Sequence, residues 1–123
     1  MMVAADHSGH LRAIVPMRVE LKRGITLRAR TEANDHIIDY CRALHAALPT
    51  SGPYNVQLIL SDSRVTPFEI NPRISTTFCL AVGAGVDPIA CYLANGSDDW
   101  FSICRDFVLG RYWMNDIREA AGS

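Results

Sequence analysis

Between Phe68 and Thr77 the chain reads FEINPRISTT. Glu69 and Asn71 stand two apart between apolar neighbours, and a proline, an arginine and a run of hydroxyls follow. In an extended strand residues two apart share a face. A carboxylate and an amide oxygen therefore point one way, while Phe68 and Ile70 point into the opposite, core-forming layer. Pro72 keeps Asn71 extended rather than helical. Arg73 then leaves the strand at a turn, free to reach over whatever Glu69 and Asn71 hold. Carboxylate and amide oxygens suit a hard divalent cation such as Mg²⁺, which also shares phosphate oxygens. A guanidinium beside it suits the remaining phosphate charge. A solvated strand face followed by a helix cap gives the same string of residue types, so the pattern needs a third member.

Gln57 supplies one. It lies on the preceding apolar run, and cross-strand partners share a face. With a two-residue loop at Asp62 and Ser63, Gln57 opposes Phe68 and faces the core. With a three-residue loop, Asp62 to Arg64, it opposes Glu69, and Asn55 opposes Asn71. A bulge at Pro67 produces the same shift. The polar cluster favours Gln57 beside Glu69.

The elements that must position these residues follow from local signals. MMVAADHSGHLRAIVPMRVELKRG has the pattern of a hairpin with its turn at Asp6 to Gly9 and a long second arm. In that arm Arg18, Glu20 and Lys22 alternate with Val19 and Leu21. Thr31 as N-cap and Glu32 in the first turn open a helix, and Ile37, Cys41, Leu44 and Leu48 give it an apolar stripe. Pro49 and Gly52-Pro53 end it. YNVQLILS and RVTPFEIN are two strands, the second irregular or at an edge because Pro67 has no amide donor. STTFCLAV is a short helix capped by Ser75 and stopped by Gly83-Ala84-Gly85. Asp87-Pro88 opens a second helix that Asn95-Gly96 closes. Strand is expected for much of Ile103 to Ile117. The class is α+β, a mainly antiparallel sheet with helices on one face, in a single domain spanning residues 1–123.

Composition narrows the functions. The 123 residues are 49% hydrophobic and 20% charged with net charge -1, so disorder is not expected and no general field draws in nucleic acid or an anionic membrane. No apolar run approaches the ~20 residues of a membrane span, and MMVAADHSG is not a signal peptide. Cys41, Cys79, Cys91 and Cys104 are widely spaced without a C-x-x-C pair, which points to reduced, buried thiols in a cytoplasmic protein. His7, His10, His36 and His45 lack metal-ligand spacing and read as surface histidines. Asn95-Gly96-Ser97 fits the glycosylation pattern, but in a cytoplasmic chain it is a turn.

The stretch GPYNVQLIL…VTPFEINPRISTTFCLAVGAGVDPI resembles the C-terminal lobe of the ATP-grasp enzymes, especially the carbamoyl-phosphate synthetase large-subunit type. In that family a strand carrying Gln runs beside a strand reading Glu-x-Asn-Pro-Arg, followed by a hydroxyl-rich turn and a helix. The resemblance extends from about Met2 to Asn95, since Arg18 to Gly24 is similar to the strand before the family's helix. GRYWMND is compatible with the C-terminal strands of carboxylate-amine ligase members. It implies that Glu69 and Asn71 hold Mg²⁺ (or Mn²⁺) bridging ATP phosphates, with Gln57 in the metal shell. Arg73 would meet the γ-phosphate or an acyl phosphate formed from it, as the catalytic residue. Arg18 is a further candidate for phosphate contact, or else a solvated strand arginine. The implied reaction is a two-step ligation: ATP phosphorylates a carboxylate, and an amine or related nucleophile attacks the acyl phosphate.

The resemblance also implies parts that are not here. The family's other lobe supplies lysines for the phosphates, hinge residues for adenine and a glycine-rich loop. Lys22 is the one lysine beside eleven arginines, and it sits on the wrong element. The chain is therefore expected to be either the catalytic half of a ligase, completed by a separate protein or segment, or an inactive remnant serving as a binding or assembly module. A homodimer is expected as well, joined through the N-terminal hairpin, where MMVAA would be an apolar, unprotected sheet edge, or through an exposed apolar patch.

Overall fold

The computed structural model describes residues 1–94, 101–102 and 107–112. A five-stranded sheet has the order β6-β5-β1-β2-β7, built from β1 (Met2–Ala5), β2 (Leu11–Val15), β5 (Pro53–Ser61), β6 (Arg64–Asn71) and β7 (Phe101–Ser102). A three-stranded sheet has the order β3-β4-β8, from β3 (Met17–Lys22), β4 (Ile25–Thr31) and β8 (Val108–Gly110). Three helices complete it: α1 (Asp35–Ala47), α2 (Phe78–Gly83) and α3 (Pro88–Leu93). Pairing is antiparallel except between β2 and β7. The α+β class stands as expected. The helices, however, are divided between the two faces of the larger sheet rather than gathered on one.

That division follows strand period. Val3 and Ile14 pair across β1 and β2 and pack with Tyr54, Val56, Ile38 and Cys41, beneath α1. Met2, Ala4, Ala13 and Val15 point the other way and pack with Ala81 and Val86, beneath α2 and α3. All four residues of β1 are buried. It pairs with β2 on one side and β5 on the other, so MMVAA is the middle of the sheet and offers no free edge for a dimer. The outer strand at that end is β6, which carries Pro67 as an edge strand can.

The N-terminal hairpin forms as the sequence suggests, but its long second arm divides at the buried Pro16, which lies between β2 and β3 and passes the chain to the second sheet. The residues after Gly24 form β4, a strand the sequence pattern did not reveal. Thr31 is the buried end of β4, and its Oγ1 accepts from the Phe107 amide at 2.8 Å. The N-cap of α1 is instead Asn34, whose side chain accepts from the Ile37 amide at 3.2 Å. With the cap moved, the inward stripe is Ile38, Cys41 and His45, and Leu48 is 61% exposed.

His45 is accordingly not a surface histidine. Its Nε2 lies 2.8 Å from the Gly9 carbonyl and its Nδ1 3.1 Å from the Tyr54 hydroxyl. A carbonyl only accepts, so Nε2–H donates to Gly9 and Nδ1 accepts from Tyr54. Of the described cysteines Cys41 is buried, and burial pushes its thiol up to about 11. Cys79 is exposed and Cys91 half-buried, against the expectation of buried thiols throughout. At α3 Asp87 caps as expected, accepting from Ile89 and Ala90 before Pro88 in the first turn. Thr77, not Ser75, is the N-cap of α2. Asn95-Gly96-Ser97, Cys104 and most of Ile103 to Ile117 lie outside the described residues. No helix among the described residues is long and apolar enough to cross a membrane.

Asp6 holds the first hairpin closed. Its carboxylate is buried and accepts from the amides of Ser8 (2.8 Å) and His10 (2.9 Å) and from Arg12 Nε (2.9 Å) and Nη2 (2.5 Å). Burial opposes its ionisation. The His10 amide, the Arg12 side chain and the Ser8 amide overcome that and hold it well below the ordinary carboxylate value of 3.8. A depressed folded value means that the carboxylate's contribution is fully present above pH 3.8 and fades as pH falls toward the folded value. Asp6→Asn leaves the buried Arg12 without its counter-charge. It should lower the thermal midpoint at neutral pH by roughly 10 °C. Calorimetry from pH 7 to 2 should also show the wild-type advantage shrinking below pH 4.

Candidate functional site

The site is built on the β5–β6 hairpin. The loop has two residues, Asp62 and Ser63, both at positive φ (47° and 67°), which suits the twist of a two-residue hairpin turn. Pairing starts at Ser61 with Arg64 and runs through Leu58 with Pro67. There the register shifts by one, leaving Phe68 as the extra residue, and Gln57 pairs with Glu69 and Asn55 with Asn71. Of the routes that bring Gln57 opposite Glu69, the structure takes the bulge at Pro67 and not the three-residue loop. Asn55 in turn pairs with Met2, which puts this polar row on the face that carries α2 and α3.

The side chains meet there. Gln57 Nε2 donates to Glu69 Oε2. Asn71 follows on the same strand face, and its Nδ2 is buried with no hydrogen-bond partner. Arg73 is exposed beyond it, with its amide on the Asn71 carbonyl (2.8 Å) and Nη1 at 3.3 Å from the Ile74 carbonyl. Ser75 and Thr77 hydroxyls bond each other at 2.8 Å as the chain turns into α2. Phe68 and Ile70 do not enter the core: they are 63% and 44% exposed, and α1 covers β6 only in part. Ile70 lines an apolar groove of about 280 Å³ with Leu44, Leu48 and Pro72.

Arg18 is not brought to this site. It stands on β3 in the smaller sheet, with Nε and Nη2 on the two Glu32 carboxylate oxygens at 2.9 and 3.1 Å. The cleft it lines includes Leu58 and Leu60, which alternate with Gln57 on β5 and so occupy the opposite face. The side-chain hydrogen bond to Glu32, then its charge, raises the affinity of Arg18 for its proton. One side chain that the sequence did not single out does reach the site: Arg111, after β8, donates through Nη2 to the Thr76 carbonyl. No local pattern marks it, because the link depends on β8 lying against β4.

The donor set can be tested against the ligand it suggests. Gln57, Glu69 and Asn71 offer one carboxylate and two amide oxygens, a set for a hard cation that keeps other oxygens in its shell. Among the described residues no group of three His, Cys, Asp or Glu forms an alternative centre. The unsatisfied amide end of Asn71 is a buried polar atom on the strand face of Glu69, and an oxygen-rich anion or, with the amide turned over, a cation would satisfy it. The residues fit Mg²⁺ shared with phosphate.

An unsatisfied buried group costs stability that an apolar isostere recovers. Asn71→Leu should therefore raise the urea midpoint of the ligand-free protein, by about 1 kcal/mol of stability, while removing a candidate oxygen ligand from the site.

The strand pair, its bulge and the turn after Asn71 can now be set beside known proteins. No curated protein matches the chain. The family model described as "ATP-grasp in the biosynthetic pathway with Ter operon" matches residues 2–104, the span that contains the β1–β2, β3–β4 and β5–β6 hairpins and the whole Gln57, Glu69, Asn71 row. The chain belongs to this ATP-grasp family.

Proposed function

We propose that the chain supplies the Mg²⁺- and phosphate-binding half of an ATP-grasp carboxylate-amine ligase. The observation that carries this reading is the contact of Gln57 with Glu69 on the strand face shared with Asn71. Bound Mg·ATP supplies an electrophilic phosphoryl group with part of its charge neutralised. Glu69, Asn71 and Gln57 would hold the cation through oxygen, with the Gln57 amide turned over from its present donation to Glu69. Arg73 stands at the rim as the residue that meets phosphate or acyl-phosphate oxygens, where its planar fork donates to two at once. Fixed charges of this kind work by positioning and stabilising charge, which is most of what phosphoryl transfer asks of a protein.

Lys22, at the end of β3, is part of the smaller sheet and not of this row. A lysine-bearing nucleotide-gripping lobe, from another protein or segment, is therefore the partner this function requires. The same observation supports a second reading, in which the chain binds or assembles without catalysing. The family is described as belonging to a biosynthetic pathway, which favours the ligase reading.

The test uses the chain alone and then with a candidate lobe. NMR titration with Mg·ATP should shift the Gln57, Glu69 and Asn71 signals, weakly and only with Mg²⁺, and Glu69→Ala should abolish the shifts. No shift at millimolar Mg·ATP would overturn the site. The isolated chain should release no phosphate steadily, since one lobe cannot exclude water or align the reacting groups. Steady release lost in Glu69→Ala would make the chain an enzyme by itself.

A further inference from the structure

The family match ends at residue 104, yet the structure carries a later side chain to the turn that follows Asn71. β8 pairs with β4, with Gly110 opposite Arg28, and the Arg111 amide donates to the Leu27 carbonyl at 3.0 Å. This anchors the backbone of Arg111 to the smaller sheet. Its guanidinium then crosses to the larger one and takes the Thr76 carbonyl. The turn has little else to hold it. Pro72, Arg73 and Thr76 are exposed and Ile74 and Ser75 half-buried, and Thr77, where α2 begins, is the first buried residue. Its other bonds are short-range: the Arg73 amide to Asn71, Arg73 Nη1 to Ile74, Ser75 to Thr77, the Phe78 and Leu80 amides to the Ser75 and Thr77 carbonyls, and the Cys79 thiol to Thr76. Exposed backbone with few apolar contacts opens easily, and a hydrogen bond from a charged donor is roughly twice as strong as a neutral one.

Charge pairing separates Arg111 from the structural arginines. Arg12 is held by Asp6 and Arg18 by Glu32, whereas neither Arg73 nor Arg111 meets a carboxylate among the described residues. We propose that Arg111 is a positioning residue for the anion-binding turn: by holding the Thr76 carbonyl it fixes where Arg73 and the Asn71–Pro72 corner stand relative to Glu69. This rests on the reading of the site as a Mg²⁺-phosphate site. It assigns a role in that site to a segment beyond the family match, and it makes the smaller sheet a support for the larger one.

The experiment compares wild type with Arg111→Ala, Arg111→Lys and Arg64→Ala, the last removing an equal charge at the far end of the β5–β6 hairpin. Amide hydrogen exchange on the nucleotide-free proteins is read first. Arg111→Ala should speed exchange at residues 73–77 and leave β1 and α1 unchanged, and Arg111→Lys should restore part of the protection. Titration with Mg·ADP should then show an affinity loss on the order of tenfold for Arg111→Ala and less than about twofold for Arg64→Ala. Unchanged exchange at 73–77, or acceleration spread over the whole chain, would overturn the proposal. Faster local exchange with unchanged Mg·ADP affinity would also overturn it, making the bond merely structural. A wild-type chain that binds no Mg·ADP sinks the reading of the site itself, and the exchange comparison then still decides whether Arg111 holds the turn.

Discussion

Met2–Ala5 are hydrogen-bonded on both sides and buried on both faces, and the larger sheet is organised around them. Four small or aliphatic residues satisfy a demanding condition there. Each must fill its own face without a polar atom, because neither face meets water. Met2 and Ala4 fit under the short helices, where Ala81 and Ala13 let backbones approach, while Val3 fits under α1 beside Ile14 and Val56. The β1–β5 pairing then fixes β5, and through it the direction in which Asn55 and Gln57 point. The polar row of the candidate site is thus oriented from the centre of the sheet outward.

Its last step is the bulge. A two-residue turn alone would place Gln57 opposite Phe68 and separate it from Glu69. One extra residue beside Pro67, where the ladder loses a donor anyway, reverses the parity of the strand beyond it. An edge strand tolerates this irregularity, and it leaves Phe68 largely and Ile70 partly uncovered. The end of β6 that carries the candidate site therefore combines an unsatisfied amide, an exposed guanidinium and uncovered apolar side chains, none of which stability favours. Such local departures from good packing gather at functional sites.

The arginines divide by environment. Arg12 is buried against Asp6 and closes a turn, and Arg18 is matched to Glu32 on the smaller sheet. Arg73 is left open at the rim. Residue type could not separate these three, since all carry the same charge and each lies on or beside a strand. Their partners did, and each partner is contributed by a fold that brings distant or differently paired segments together.

From the sequence alone, the first hairpin, the two strands at 54–61 and 64–71, the Asp87-Pro88 helix start and the shared face of Glu69 and Asn71 were all determined. Each depends on turn chemistry, capping or strand period, which act over a few residues. The company of Gln57 and Glu69 was legible only as one of two registers, because a bulge leaves no certain mark in one strand read without the other. Tertiary structure decided the rest. Asn34 took the cap from Thr31 once β4 formed against β3 and β8, and that turned His45 inward onto Gly9 and Tyr54. Pro16 divided one apparent strand between two sheets, and β1 became the centre rather than an edge. Arg18 went to Glu32, and Arg111 came to Thr76. Which strand lies beside which, and which apolar face finds a cover, depend on packing between segments far apart in the chain, and no local pattern contains that information.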